Sequence, residues 1–530
     1  MTPRHRPGER PSCVASGATL LILAASLAGC STTREWWSNG FKVGPNYCPP
    51  GANVAASWID ASDPHLRCGE HENACWWTAF GDPTLDQLVA EASQQNLTLK
   101  MAGCRILEAR AECGIAEGNL FPQQQEATAQ YARNAMSQNA YPFNIIPLPR
   151  YYYNNWSAGF DAAWELDFWG GFRRAVEAAD AHLDAQVAGY DNVLVLLQAD
   201  VATNYIQMRA FEERLLLARK NVELQKETLR IVTLREQQGL VTELDVQQAT
   251  ANLGATESLI PILATGHRTA QNRLCILMAQ PPHLLAQMIK SPASIPVPPQ
   301  EVIVGIPGEL LCRRPDVRQA EREAAAQSAR SGIADAEYYP HIAITGTIGV
   351  EAEQLNQLFE TSSLVGAIGP GIHWNILNYG RIRNNVRAQD ARFQQAIFNY
   401  RDTVLRANEE VEDGIVAFLQ EQERVKSLDK STHAAARSVE IATLQYEKGM
   451  ISYQPLLDSE RALVLQQDAL AESRGSVGTD LVAIYKALGG GWQARLPDQQ
   501  DKTAEPIPPG SELPTPAPAQ VITPSTKTDY

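Results

Sequence analysis

The chain has 530 residues, of which 44% are hydrophobic and 20% charged, with a formal net charge of −15. Those fractions belong to a chain that folds around a core, as two or three ordinary domains or one elongated one, and exclude a disordered or polytopic membrane chain. No stretch after residue 40 offers the roughly 18 consecutive apolar residues of a spanning helix, and an acidic chain without a basic stripe is excluded as a nucleic-acid binder.

Arg4, Arg6 and Arg10 form a positive n-region, and residues 14–28 a short apolar h-region, the pattern of an export signal. It ends in Leu27-Ala28-Gly29-Cys30-Ser31, which resembles the lipobox of bacterial lipoproteins. The other reading is an ordinary signal peptide with a small-residue cleavage site. On the lipobox reading, residues 1–29 are removed and Cys30 becomes the acylated first residue. The loss of three arginines against Glu9 takes the net charge to −17. Ser31 resembles the second residue of lipoproteins sent to the outer membrane, and several acyl chains anchor durably at about 0.8 kcal/mol per buried CH₂. Cys48, Cys68, Cys75, Cys104, Cys113, Cys275 and Cys312 remain, an odd number that leaves at least one thiol outside any disulfide. Cys68 and Cys75 flank His71, but their spacing fits no zinc pattern, so the sequence predicts a loop disulfide or two buried thiols there.

After an extended anchored segment (residues 30–81), the chain is written twice, as residues 82–280 and 313–492, joined by a Pro-rich connection at 281–312. Trp164 to Arg173 (WELDFWGGFR) lines up with Trp374 to Arg383 (WNILNYGRIR) at an offset of 210. At the same offset Gly239 to Val246 (GLVTELDV) meets Gly449 to Leu456 (GMISYQPL). Leu120-Phe121-Pro122 corresponds to Tyr338-Tyr339-Pro340 at slightly different spacing. Asp82-Pro83 and Arg314-Pro315-Asp316 open the halves as helix starts with Pro in the first turn. Each half therefore reads helix, strand, loop, strand, very long helix, turn, long helix. The tail, 493–530, is rich in Pro and Thr and is predicted to be disordered.

The predicted strands alternate with period two. Trp156, Ala158, Phe160, Ala162, Trp164, Leu166 and Phe168 share one face; Ser157, Gly159, Asp161, Ala163, Glu165 and Asp167 share the other. Ile368, Ile372, Trp374 and Ile376 stand opposite Gly369, Gly371, His373 and Asn375; Ile342, Ile344, Ile348 and Val350 stand opposite Thr345 and Thr347. Residues 125–133 alternate weakly. Soluble amphipathic strands give the same pattern, but the segment from Trp156 suits the roughly 9–11 tilted residues of a membrane strand, with Trp and Tyr as interfacial girdle. Tyr151-Tyr152-Tyr153 sits at the loop end.

No Pro interrupts the stretch from about Gly170 to Gln238, enough for a helix of about 100 Å at 1.5 Å per residue. Residues 380–448 carry Ile397, Val404, Val411, Phe418 and Val425 at seven-residue spacing, which imposes coiled-coil packing. Four membrane strands cannot close a barrel, and a free edge in lipid leaves backbone groups unpaired. Closure then requires several copies.

The most specific motifs are Val43 to Pro50 (VGPNYCPP), Trp76-Trp77 with Phe80 to Pro83 (FGDP), and Leu310 to Val317 (LLCRRPDV) followed by Ala320-Glu321 and Ile333 to Pro340 (IADAEYYP). From about residue 41 to 492 the chain resembles the TolC-like outer-membrane efflux proteins, NodT-type lipoproteins among them. The resemblance implies a mostly α-helical homotrimer: a 12-stranded β-barrel in the outer membrane continued by a periplasmic α-helical barrel. It implies a passive exit channel for drugs, toxic compounds or metal ions, fed by a periplasmic membrane-fusion adaptor and an inner-membrane pump of the resistance-nodulation-division class.

The residues themselves offer no P-loop, dinucleotide fingerprint, nucleophile elbow or HExxH helix, so neither an enzyme nor a cofactor is read. His267, His283 and His433 stand alone. Glu409, Glu410, Glu412 and Asp413 read as a solvated helix face. By resemblance, Asp245, Tyr446 and Asp458 stand at a periplasmic gate, while Pro455 and Ile451 depart from the Asp and Arg of the best-known members. Asp245 and Asp458 fit helix N-terminal capping equally well. The resemblance also makes Gly239, Leu240, Val241, Gly449, Met450 and Ile451 the adaptor-contacting tips. A lipid-anchored periplasmic coiled-coil adaptor is the alternative. It would carry one hairpin between soluble β modules rather than two hairpins alternating with aromatic strands.

Overall fold

The structure is a computed structural model that describes residues 36–495, except 69–72, 138, 140–144, 146–151, 283–288, 290–293, 300 and 310–312. Cys30, Tyr151, His71, His283, Cys312 and the tail from residue 496 lie outside the described residues. The elements in chain order are β1 (Leu66–Cys68), α1 (Pro83–Gln95), α2 (Leu97–Gly118), β2 (Gln124–Ala135), β3 (Tyr152–Leu166), α3 (Gly171–Gln237) and α4 (Glu243–Leu277). They continue with β4 (Val302–Val304), α5 (Pro315–Ala336), β5 (His341–Ala352), β6 (Leu364–His373), α6 (Arg381–Glu447) and α7 (Tyr453–Ala487).

The repeat appears in three dimensions at the register that the sequence carries. Helices α3 and α6 are each 67 residues long and start 210 residues apart; α4 and α7 are each 35 residues long at the same offset. The opening helices begin where Asp82-Pro83 and Arg314-Pro315 direct, Asp82 accepting from the Thr84 amide at 2.8 Å. The halves differ there. In the first, Asn96 ends α1, starts α2 through the Leu99 amide, and donates its side-chain amide to the Leu277 carbonyl at 2.8 Å. The second half keeps one helix, α5.

The sheet order is β2-β3-β5-β6, antiparallel throughout. The alternation read from sequence sets its two faces: Phe160 pairs with Ile348, Trp164 with Ile344 and Ile342 with Ile372 on the apolar face, while Asp161 pairs with Thr347 on the polar one. The weak first strand is as long as β5. Phe160, Ile348, Ile368 and Ile372 are exposed on the apolar face, the reverse of a sheet packed on a soluble core. Neither β2 nor β6 has a second neighbour among the described residues.

The helices repeat the strand order below the sheet, with α2 beside α3, α3 beside α5, and α5 beside α6. Further down, α4 packs on α3, α3 on α7, and α7 on α6. The heptad positions Val404, Val411 and Phe418 are at most 1% exposed, while Ile397 and Val425 at the ends of the run are half-buried.

Two features were not legible in the sequence. Residues 43–66 form a strap that starts along α3 and α5, where Val43 and Gly44 carbonyls accept from Arg174 and the Tyr47 hydroxyl donates to Glu321 at 2.8 Å, and then crosses to α6, where the Ile59 amide meets Glu412. This strap ends in β1, which pairs in parallel with β4 from the Pro-rich connection. The acidic run is also not a bare solvated face. Glu410 pairs with the buried Arg314 at 2.8 Å and Glu412 accepts from the Ile59 amide at 3.1 Å, because the strap and the second repeat's opening press on that helix. Cys48, Cys104 and Cys113 are in no disulfide.

Candidate functional site at the two hairpin tips

Each hairpin turns on a glycine in the left-handed region, Gly239 at φ +71° and Gly449 at φ +70°. The Leu240 amide bonds the Arg235 carbonyl and the Gly239 amide that of Glu236; the Met450 and Gly449 amides repeat this with Gln445 and Tyr446. This is a Schellman closure, which favours glycine because a Cβ is strained at that φ. Leu240 and Met450 project outward, each 62% exposed. Val241 and Ile451 fold inward against Val232, Tyr446, Tyr453 and Leu456.

The three gate candidates fall into different settings. Asp245 closes a capping box, its Oδ2 accepting from the Thr242 amide and hydroxyl at 3.1 Å each. Asp458 is an exposed residue beyond the first turn of α7 and, among the described residues, accepts from Gln454 of its own helix at 3.0 Å. Helix capping therefore accounts for Asp245 and not for Asp458. Tyr446 is 1% exposed and packs within the tip core, its ring centre 5.8 Å from that of Tyr453.

The residue that holds Tyr446 was missed in the sequence. Arg235, in the last turn of α3, sets its guanidinium 4.7 Å from the Tyr446 ring centre and donates to the Tyr446 carbonyl. An arginine thus serves the tip from the first hairpin, although Ile451 fills the position where a family arginine was expected.

Above it, Glu460 of α7 is 1% exposed and accepts from Thr228 of α3 at 2.6 Å and from Asn252 of α4 at 3.2 Å. Burial pushes its carboxyl above the ordinary value, and the two neutral donors only partly offset this. Asn221 then donates to Gln467 at 2.8 Å, and Arg214 forms a two-point pair with Asp468 at 2.7 and 2.8 Å. Arg214, Asn221, Thr228 and Arg235 stand seven residues apart along α3, so one polar residue per heptad joins the first hairpin to the second. Polar groups in such a seam fix register rather than maximise stability. The signal in the sequence is a heptad of polar residues on α3, beside the apolar heptad of α6.

A twice-written strand-and-hairpin unit with an outward apolar sheet face and paired hairpin tips belongs to a membrane duct rather than to a catalyst. The comparisons agree. The outer membrane efflux protein family matches residues 88–280 and 306–490, and the chain belongs to that family. Nodulation protein T of Rhizobium leguminosarum bv. trifolii is 28% identical over 86% of this chain and 95% of its own length. The pyoverdine export outer membrane protein OpmQ of Pseudomonas putida is 29% identical over 90% and 98%. Among solved structures, the outer-membrane channel OprN superposes with a TM-score of 0.79 at 32% identity, covering 85% of this chain and 99% of its own. The protein is an outer-membrane efflux channel and not an enzyme, which sets aside the adaptor alternative.

Proposed function

We propose that three copies of this chain close a 12-stranded barrel in the outer membrane and a helical barrel beneath it. The observation that carries this reading is that every layer of the protomer is open at both sides. Strands β2 and β6 have one free edge each among the described residues, and a strand edge in lipid is costly unless paired. The helices flanking those edges leave Met101, Leu107 and Ile115 of α2 and Phe398 and Leu405 of α6 exposed. Cyclic association puts each open side against the opposite side of the next copy.

In this assembly Cys30 carries the lipid anchor, and the two hairpin tips, Gly239–Val241 and Gly449–Ile451, meet a periplasmic adaptor, with Leu240 and Met450 the most exposed side chains there. Asp245, Tyr446 and Asp458 lie at the narrow end, with Arg235 holding Tyr446. A ring of three exposed Asp458 carboxylates there favours cations, as acidic rings do in other pores. The driving energy comes from an inner-membrane pump of the resistance-nodulation-division class, with small molecules as cargo, as with the pyoverdine named for a relative.

The test is the detergent-corrected mass of the mature protein extracted from membranes. Three chains per particle is the expected result. A stable monomer overturns shared barrel closure.

A further inference from the structure

At the base of the sheet, where the strands give way to helices, two histidines face each other. His341 pairs directly with His373 in the antiparallel register of β5 and β6. Both stand on the polar face, in line with Thr345 and Gly371 and beside Glu165 of β3. Opposed residues of an antiparallel pair have Cβ atoms about 4.5–5.5 Å apart, close enough for two imidazoles to reach one ion. The neighbours at this spot are small, and the two histidines line a depression of about 420 Å³ together with Glu165, Ala343, Gly371 and Asn375.

The carboxylates around the pair are placed for coordination chemistry. Glu165 Oε1 lies 2.5 Å from His341 Nδ1, and a carboxylate at that nitrogen favours the tautomer that leaves the Nε2 lone pair for an ion. A carboxylate on the far nitrogen is the usual support of a metal-binding imidazole, because it fixes the tautomer and raises basicity. Glu337 Oε2 lies 3.8 Å from Nε2, too long for a hydrogen bond but within the first surroundings of an ion held there. Nothing in the duct reading uses this group.

We propose that His341 and His373 form a two-histidine chelate for a late first-row divalent cation, with Glu165 orienting His341 and Glu337 at hand as an oxygen donor. Imidazole ligands suit copper, nickel and zinc, and Cu(II) heads the order of affinity for such a site. Among the described residues no three His, Cys, Asp or Glu side chains already converge as a metal-holding group. If the sheet closes as proposed above, the polar face lines the lumen and the site lies on the exit path, but the chelate itself is complete within one chain.

The test is titration of the full-length, tag-free protein in detergent with Cu(II), followed by calorimetry and by electron paramagnetic resonance. The expected result is one copper per chain with hyperfine structure from two imidazole nitrogens. His373→Ala and His341→Ala should each remove one nitrogen from the spectrum and weaken binding. Glu165→Gln should weaken binding about 10- to 100-fold while both nitrogens remain, as loss of an orienting partner does. His433→Ala, on an exposed helix face far down the sequence, should change nothing, and unchanged circular dichroism and particle mass show that each variant is folded. Binding within twofold of wild type in the His341→Ala/His373→Ala double variant overturns the site. The mass measurement tests the trimer separately, so a monomeric protein that still binds copper through both histidines would overturn the assembly and leave the chelate standing.

Discussion

Arg235 binds Tyr446 through its ring face and its carbonyl oxygen, so the last turn of one hairpin's long helix is pinned to the last turn of the other's. Neither contact needs the phenolic oxygen. Removing the guanidinium forfeits a cation–π contact of about 0.5–2 kcal/mol and a charge-assisted hydrogen bond of about 1.5–3 kcal/mol. In planar bilayers, Arg235→Ala and Tyr446→Ala should therefore raise the leak conductance several-fold. Tyr446→Phe should stay close to wild type, because it keeps both contacts. A leak in the Phe variant equal to that of the Ala variant would show that the hydroxyl, not the ring, holds the tip.

Glu460 makes the seam between the hairpins sensitive to pH. Among the described residues its buried carboxyl has Thr228 and Asn252 as direct partners, Arg461 reaching Asn252 rather than the carboxylate. Burial raises its folded value above the ordinary carboxyl range. A raised acid contributes stability that is complete below its unfolded value and lost as pH rises through the folded one. Amides of α7 near Leu457–Leu463 should thus open more readily at pH 8 than at pH 5, once the intrinsic exchange rate is divided out. Glu460→Gln should remove most of that difference. An equal pH dependence in both proteins would mean that another group titrates.

What was legible in the sequence had a period. The offset of 210 residues, the two faces of the strands and the heptad through Val404, Val411 and Phe418 all survive in the structure because each is a repeated local constraint. The parts not legible depend on partners distant in sequence. Arg235 meets Tyr446 across 211 positions and Thr228 meets Glu460 across 232, and no local pattern marks which arginine or glutamate will be buried. In the sequence Asp245, six residues after Gly239, and Asp458, nine after Gly449, both fit a helix cap as well as a gate. They differ because α4 starts at Glu243 and places Asp245 in the first turn, whereas α7 starts at Tyr453 and Asp458 lies further in.

The exposed side chains of α6 offer a direct probe of assembly. Phe398 and Leu405 are 62% and 58% exposed and one helical heptad apart. Burying two such side chains is worth about 1.5–3 kcal/mol each, and a charge in their place must be desolvated on closure. Phe398→Glu with Leu405→Glu should shift the particle in detergent from three chains towards one, with helix content unchanged by circular dichroism. A trimer that tolerates both charges would place the contact between copies on another face.

The N-terminal strap allows the lipid anchor to be tested apart from the fold. Trp36 packs on Phe168 and Trp169 at the foot of β3, with ring centres 5.3 and 5.6 Å away. It lies six positions after Cys30, a reach of at most about 22 Å at 3.3–3.6 Å per residue. Acyl chains on Cys30 would thus enter the membrane close to where the sheet begins. The strap itself is held by protein contacts, since Arg174, 2% exposed, binds the Val43 and Gly44 carbonyls and Glu177. Cys30→Ser should accordingly abolish palmitate labelling while the strap remains as resistant to protease as in wild type. Arg174→Ala should do the opposite, keeping the label and exposing the strap near Val43 to cleavage. Absence of the label from the wild-type protein would return residues 1–29 to the ordinary signal-peptide reading.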